Sequence, residues 1–169
     1  MLEIALSREE PWPDRDWEAI ASLAADAAIS RTPYSELVTA TTNVEISIRL
    51  TSNEELHTLN RQYRGTDMPT NVLSFAMVSP DLIATIDRNL DNRGVLLGDI
   101  VLAHDVCAAD AAARRISIAD HATHLIVHGA LHLLGYDHVT DDGAEAMESI
   151  ERAALADLNI ADPYMARED

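Results

Sequence analysis

The chain contains no lysine. All twelve basic residues among its 169 are arginines, set against 29 acidic residues, for a formal net charge of −17. That balance excludes broad, non-specific nucleic-acid binding, which rests on neutralising phosphates. It leaves room for a local basic cleft, because the field at a site depends on where the charges lie. Cysteine is nearly absent: Cys107 stands alone, so no intramolecular disulfide can form and a reducing compartment is the expected setting. The opening residues have no basic stretch followed by an apolar one, so no secretory signal is expected. Every long apolar run is broken by Asp, His or Arg, so no membrane span is expected. Repeats and low-complexity tracts are lacking as well. These absences predict a soluble, cytoplasmic protein with no membrane partner.

What is present is the composition of a globular domain, 47% apolar and 24% charged. A chain of this length is expected to form one domain over 1–169. It can bury about 70% of the surface it exposes unfolded, so it needs neither a disulfide nor a metal to hold a core. Residues 137–169 carry ten acidic and two basic residues, which reads as a solvated acidic surface.

Residues 2–7 alternate and predict a strand. A turn around Pro11 and Pro13 precedes a helix capped by Asp14 or Asp16 and running to about Arg31, with Trp17, Ile20, Leu23, Ala24 and Ala27 at helical spacing. Residues 32–43 are a connector. Strict alternation over 44–50 predicts a half-buried strand. Ser52 and Glu55 have the spacing of a capping box that opens a short helix to about Tyr63. A polar Gly/Pro loop follows at 64–70, then strands at 71–77 and 95–103 around an exposed excursion at 78–93. Helices are expected at about 104–115, 118–134 and 141–158. Strands and helices first, then a helical half, predict an α+β (mixed α/β) fold.

The informative stretch is His128-Gly-Ala-Leu-His-Leu-Leu-Gly-Tyr-Asp-His138, which holds three of the seven histidines. His128 and His132 are i and i+4 and share a helix face. Two imidazoles placed so can reach one metal ion at about 2.0–2.1 Å. Gly135 suits a helix end, where a left-handed residue turns the chain back and can swing His138 towards the same ion. Three nitrogen ligands with a fourth position open is the pattern of a catalytic zinc site. His124 is a rival third ligand, but eight residues of helix rise about 12 Å, too far for one ion to be reached easily from both ends. It reads better as a packed residue beside the site. His57, His104 and His121 read as structural or exposed.

The spacing is similar to the zincin and metzincin pattern of two helical histidines, a glycine turn and a third histidine. Those peptidases carry a glutamate directly after the first histidine as general base. Here that position is Gly129, which cannot accept a proton.

The same eleven residues resemble the signature of the YbeY family, bacterial metal-dependent endoribonucleases and ribosomal RNA maturation factors. Leu59-Asn60 with 63–75, and Leu97-Gly-Asp-Ile-Val101, resemble two further blocks of that family, in matching order. The resemblance implies a small mixed sheet covered by helices, with a metalloproteinase-like zinc helix. It implies one Zn²⁺ per chain held by His128, His132 and His138. It also implies functional roles for Arg64 and for Asp99, the latter on the rim of the same cleft. The implied activity is cleavage of single-stranded RNA in maturation of the 3′ end of small-subunit ribosomal RNA, and in ribosome quality control. The implied partners are ribosomal RNA, the small ribosomal subunit and assembly factors, with no DNA expected.

Elementary chemistry agrees in part. Phosphodiester cleavage builds negative charge on phosphoryl oxygens, where zinc acts as a Lewis acid and an arginine offers a planar fork of donors. Asp137 can orient a ligand histidine, cap, or be merely solvated. Asn71 and Ser74 can meet RNA or simply line a strand. Asp99, inside an apolar strand, has either a site role or an edge position. Two other functions compete: a metal-dependent hydrolase of another class, and a ribosome-assembly binding factor with a structural metal. The −17 charge lends weight to the second of these.

Overall fold

The structure, a computed structural model, describes residues 2–39, 43–64, 72–83 and 94–164, with backbone alone at 60–64 and 80. The strands are β1 (Leu2–Arg8), β2 (Val44–Thr51), β3 (Val72–Ala76) and β4 (Val95–Ala103). The helices are α1 (Trp17–Ser30), α2 (Glu36–Thr39), α3 (Asn53–Arg64), α4 (Pro80–Ile83), α5 (His104–Arg114), α6 (Ile118–Leu133) and α7 (Asp141–Asp157). The strands form one sheet in the order β1-β2-β4-β3. The first three run parallel and β3 closes the edge antiparallel to β4. The fold is α+β, as expected.

Alternation in β2 decides how the sheet is covered. Val44, Ile46, Ile48 and Leu50 are buried on one face while Glu45, Ser47 and Arg49 alternate towards the other. Ile46, Ile48 and Leu50 lie beside Gly98, Ile100 and Leu102 of β4, so the same face of both strands points at the helices. There α1 packs on β1 and on α6, and α6 packs on β3 and β4. Among the described residues, the opposite face carries α3 and a small cluster of Leu56, Leu73, Val101 and Ala103, with Leu59 and Phe75 beside it.

Leu97 is an extra residue opposite the Glu45/Ile46 step, a bulge that kinks β4. At the next position the backbone is crowded: a Cβ on Gly98 would lie 2.3 Å from the Phe75 carbonyl oxygen and 2.6 Å from Leu133 Cδ2. Glycine there lets the edge strand and α6 close on β4 together.

Local signals place the helices. Asp16, not Asp14, caps α1, accepting from the Ala19 N–H at 3.2 Å. Ser52 caps α3 by accepting from the Glu55 N–H at 3.2 Å. The reciprocal half of that capping box is diverted, because the Glu55 carboxylate accepts instead from the Thr51 hydroxyl and from Arg49. Two four-residue helices, α2 and α4, fall inside segments read as connector and excursion. The expectation of exposure fails at Ile83, which is buried in the main core; residues 84–93 lie outside the described residues. Cys107, on α5, is buried in that core as well, and burial and the nearby Asp110 charge push its thiol up to about 12.

Candidate metal centre

Ser117 starts α6, accepting from the Asp120 N–H at 3.0 Å. Gly129 faces the sheet, where an added Cβ would meet Ile100 Cγ2 at 3.0 Å. His128 and His132 lie on another face of α6, towards α7. The helix ends as expected of its glycine: Gly135 takes φ 98°, and the Tyr136 N–H reaches back to the Leu131 carbonyl at 3.1 Å. The reversal brings His138 to the helical pair. Its ring centre lies 5.6 Å from that of His128 and 5.3 Å from that of His132. One nitrogen from each of the three histidines falls within 4.8 Å of the others.

The unused nitrogens explain the chemistry of this group. His132 Nδ1 donates to the Tyr136 carbonyl at 2.9 Å, and a carbonyl can only accept. His128 Nδ1 donates to the carboxylate of Glu151 on α7. Both protons are thereby placed on Nδ1, which leaves Nε2 of each ring as a lone pair. The two Nε2 atoms stand 3.0 Å apart. Two acceptors at that distance repel unless a proton or a cation lies between them, and a third nitrogen from His138 completes more than a shared proton needs. Three imidazoles, two of them with their second nitrogens tied back, are a donor set that suits Zn²⁺.

Glu151 was not singled out from the sequence. It is completely buried, an exception to the reading of the C-terminal acidic residues as solvated surface. Its second oxygen accepts from the Tyr164 hydroxyl and lies 3.7 Å from His124 Nε2. Burial pushes this carboxyl up. The polar contacts with His124, His128 and Tyr164 outweigh that and hold it at about 2. The Tyr164 hydroxyl is pushed up by burial and by the Glu151 carboxylate.

His124 stays outside the trio, as its place on the helix predicted, with Nε2 3.4 Å from the Tyr164 hydroxyl. His121, fully buried beside it, is held neutral. Burial, His124 and Arg114 lower it to about 4 against the opposing pull of Asp110. His104 packs edge-on against Trp12 at 5.4 Å, and His57 is half-buried on α3. Asp137 makes a turn, accepting from the Val139 N–H at 3.2 Å. The carboxylate that orients a histidine of the trio is Glu151.

A cavity of about 320 Å³ opens beside the trio, lined by His128, His138, Met147, Glu148, Glu151 and Tyr164. Asp99 lies elsewhere. Its neighbours Gly98 and Ile100 face α6, so alternation turns Asp99 to the α3 face. There it lines a groove of about 550 Å³ with Ser7, Ser47, Arg49, Glu55 and Phe75. The described linings of the two cavities have no residue in common. Arg64 is the last residue of α3 rather than the first of a loop; its side chain, like Asn71, lies outside the described residues. Ser74 sits mid-strand in β3 opposite Ile100.

Comparison with known proteins agrees along the whole chain. Residues 10–159 match the family profile described as endoribonuclease YbeY. A protein of that name from Rhizorhabdus wittichii is 56% identical, with 100% of both chains covered. Its namesake from Sphingopyxis alaskensis is 53% identical over 97% of this chain and 98% of the relative. The solution structure of TM1509 from Thermotoga maritima superposes with a TM-score of 0.55 at 20% identity, over 97% of this chain and 99% of that one. It has the same fold.

Proposed function

The chain belongs to the YbeY family of endoribonucleases, and from that premise we propose a zinc-dependent enzyme specific for single-stranded RNA. It acts in maturation of the 3′ end of small-subunit ribosomal RNA and in ribosome quality control, in the cytoplasm. The observation that carries the zinc reading is the convergence of His128, His132 and His138 with the Nδ1 positions of the helical pair already occupied. When bound, zinc supplies Lewis acidity towards the oxygens of the scissile phosphodiester. The protein's own share is to hold three nitrogens in place. Tyr136 and Glu151 fix two of the rings, and the Gly135 turn delivers the third.

Arg64 is assigned the phosphate clamp. Support comes from the family resemblance of 63–75 and from the planar, charge-assisted donors that an arginine offers. Asp99 is assigned a place in contacts with the substrate or the ribosome, supported by its position in a polar groove. With a net charge of −17, affinity for RNA draws on local contacts and on the ribosome rather than on the overall field.

The test is cleavage of labelled single-stranded RNA by zinc-loaded protein, with casein and isolated small ribosomal subunits run in parallel. His132→Ala should abolish both zinc uptake and cleavage. Arg64→Ala should keep zinc and fold but lose about 10²–10³ in single-turnover rate, with only partial rescue by Arg64→Lys. Subunit binding without cleavage by the zinc-loaded protein would favour an assembly factor with a structural metal. Arg64→Ala within about threefold of the parent rate would remove Arg64 from the site.

A further inference from the structure

We propose that residues 158–164, after α7, are part of the metal centre, with Tyr164 and Glu151 as positioning residues that set how tightly His128 holds the ion. This inference rests on the zinc reading above.

The geometry begins in the sequence of the α7 end. Asn159 takes a left-handed φ of 62°, and the Ile160 N–H returns to the Leu155 carbonyl at 2.9 Å. This closes the helix and folds the chain back along it. Asp162 then fixes the turn twice, accepting from the Tyr164 N–H at 2.8 Å and pairing with Arg152 of α7 at 3.2 Å. The Arg152 guanidinium also sits 5.4 Å from the centre of the Tyr164 ring. Thus seated, the Tyr164 hydroxyl donates to one oxygen of Glu151 while the other accepts from His128 Nδ1. Hydroxyl, carboxylate and imidazole form one hydrogen-bonded chain that ends at the metal-facing nitrogen.

A carboxylate behind a ligand histidine fixes its tautomer and ring orientation and raises its basicity. Glu151 does this from a fully buried position, where an oxygen without a donor would be costly. Tyr164 satisfies that second oxygen and limits the carboxylate to the orientation His128 needs. His132 has a different arrangement, since its Nδ1 leans on a backbone carbonyl that no side-chain substitution removes. Affinity is therefore tunable through His128 and its partners on α7 and the tail.

The experiment measures Zn²⁺ affinity of the full chain by competition with a chromophoric chelator, alongside the d–d absorption of the Co²⁺-loaded protein and the melting temperature of the metal-free protein. Glu151→Gln should weaken zinc about 10–100-fold. Tyr164→Phe should weaken it about three- to tenfold and alter the cobalt spectrum, with the metal-free melting temperature lowered by no more than the few degrees that one lost hydrogen bond costs. Tyr164→Phe should cost less in the Glu151→Gln background than in the parent, because its effect passes through the carboxylate. Tyr164 is only partly buried, so its variant folds even if the Glu151 variant does not. Zinc affinity and cobalt spectrum of Tyr164→Phe indistinguishable from the parent would overturn the proposal, as would full additivity of the two substitutions. A parent protein that takes up no zinc would sink the metal reading itself, and this inference with it.

Discussion

On one face of the sheet Ile46, Ile48, Ile100 and Leu102 are sealed under helices, with α1 and α6 as the cover. On the other, Ser47, Arg49 and Asp99 look into a groove and, among the described residues, α3 packs on that side. The residues alternate along the same two strands, so the contrast comes from what each face meets. The sealed face supplies the rigid platform from which α6 presents its histidines. The open face is held by a handful of apolar residues and lines its groove with polar groups. Apolar burial is concentrated on one side and polar side chains on the other.

The largest way to break this contrast is to truncate neighbours of opposite orientation on β4. Ile100→Ala removes a side chain wedged between Gly129 and the sheet and should cost about 2–5 kcal/mol. Val101→Ala, one residue on and in the small cluster, should cost about 1–2 kcal/mol. Urea unfolding of the metal-free protein checks the pair. Equal losses would mean that the two faces carry the fold alike.

Acidification should act on the helical side too, where the buried titratable groups lie. His121 is lowered from 6.5 to about 4 in the folded protein, so between those values the unfolded chain binds more protons. Its contribution is complete above pH 6.5 and is lost as the pH falls towards 4, up to about 3 kcal/mol in all. Glu151, lowered from 4.5 to about 2, adds a second loss below pH 4.5. The melting temperature of the metal-free protein should decline across the first window, and His121→Leu should flatten that decline. A parent curve already flat from pH 6.5 to 4 contradicts the assignment.

The smallest effect belongs to the open face. Arg49 pairs with Glu9 at 2.9 Å and Glu55 at 2.8 Å, with its side chain 44% exposed. Arg49→Ala should therefore cost no more than about 1 kcal/mol. A loss of several kcal/mol in the same urea experiment would show that the groove wall supports the fold.

Much of this was legible in the residue order. Alternation located β2, apolar spacing located α1, and the spacing of His128, His132 and His138 anticipated their convergence. The four-residue helices α2 and α4 escaped because a single turn has no periodicity. Glu151 escaped because it lies thirteen residues beyond His138 among other acidic residues, and spacing rules reach only along one helix. A signal was nevertheless present. Met147, Glu151, Ala154 and Leu155 form one buried stripe of α7, and a carboxylate in an apolar stripe demands a partner. Tyr164 gave no such signal, since its role depends on a chain reversal that brings it back beside α7.

The seating of Gly129 against Ile100 also bears on what this scaffold can become. A carboxylate beside the first histidine would be one substitution away from the arrangement of a zinc peptidase. Any side chain at 129, however, starts out towards the sheet and into an isoleucine, away from the ligand nitrogens. Making room means shifting the Ile100 side chain within a packed core, and such overpacking typically costs about 1–3 kcal/mol, a noticeable part of the 5–15 kcal/mol typical of a folded domain. The packing beneath the helix thus sets a stability cost on placing any side chain, a carboxylate included, next to the first histidine.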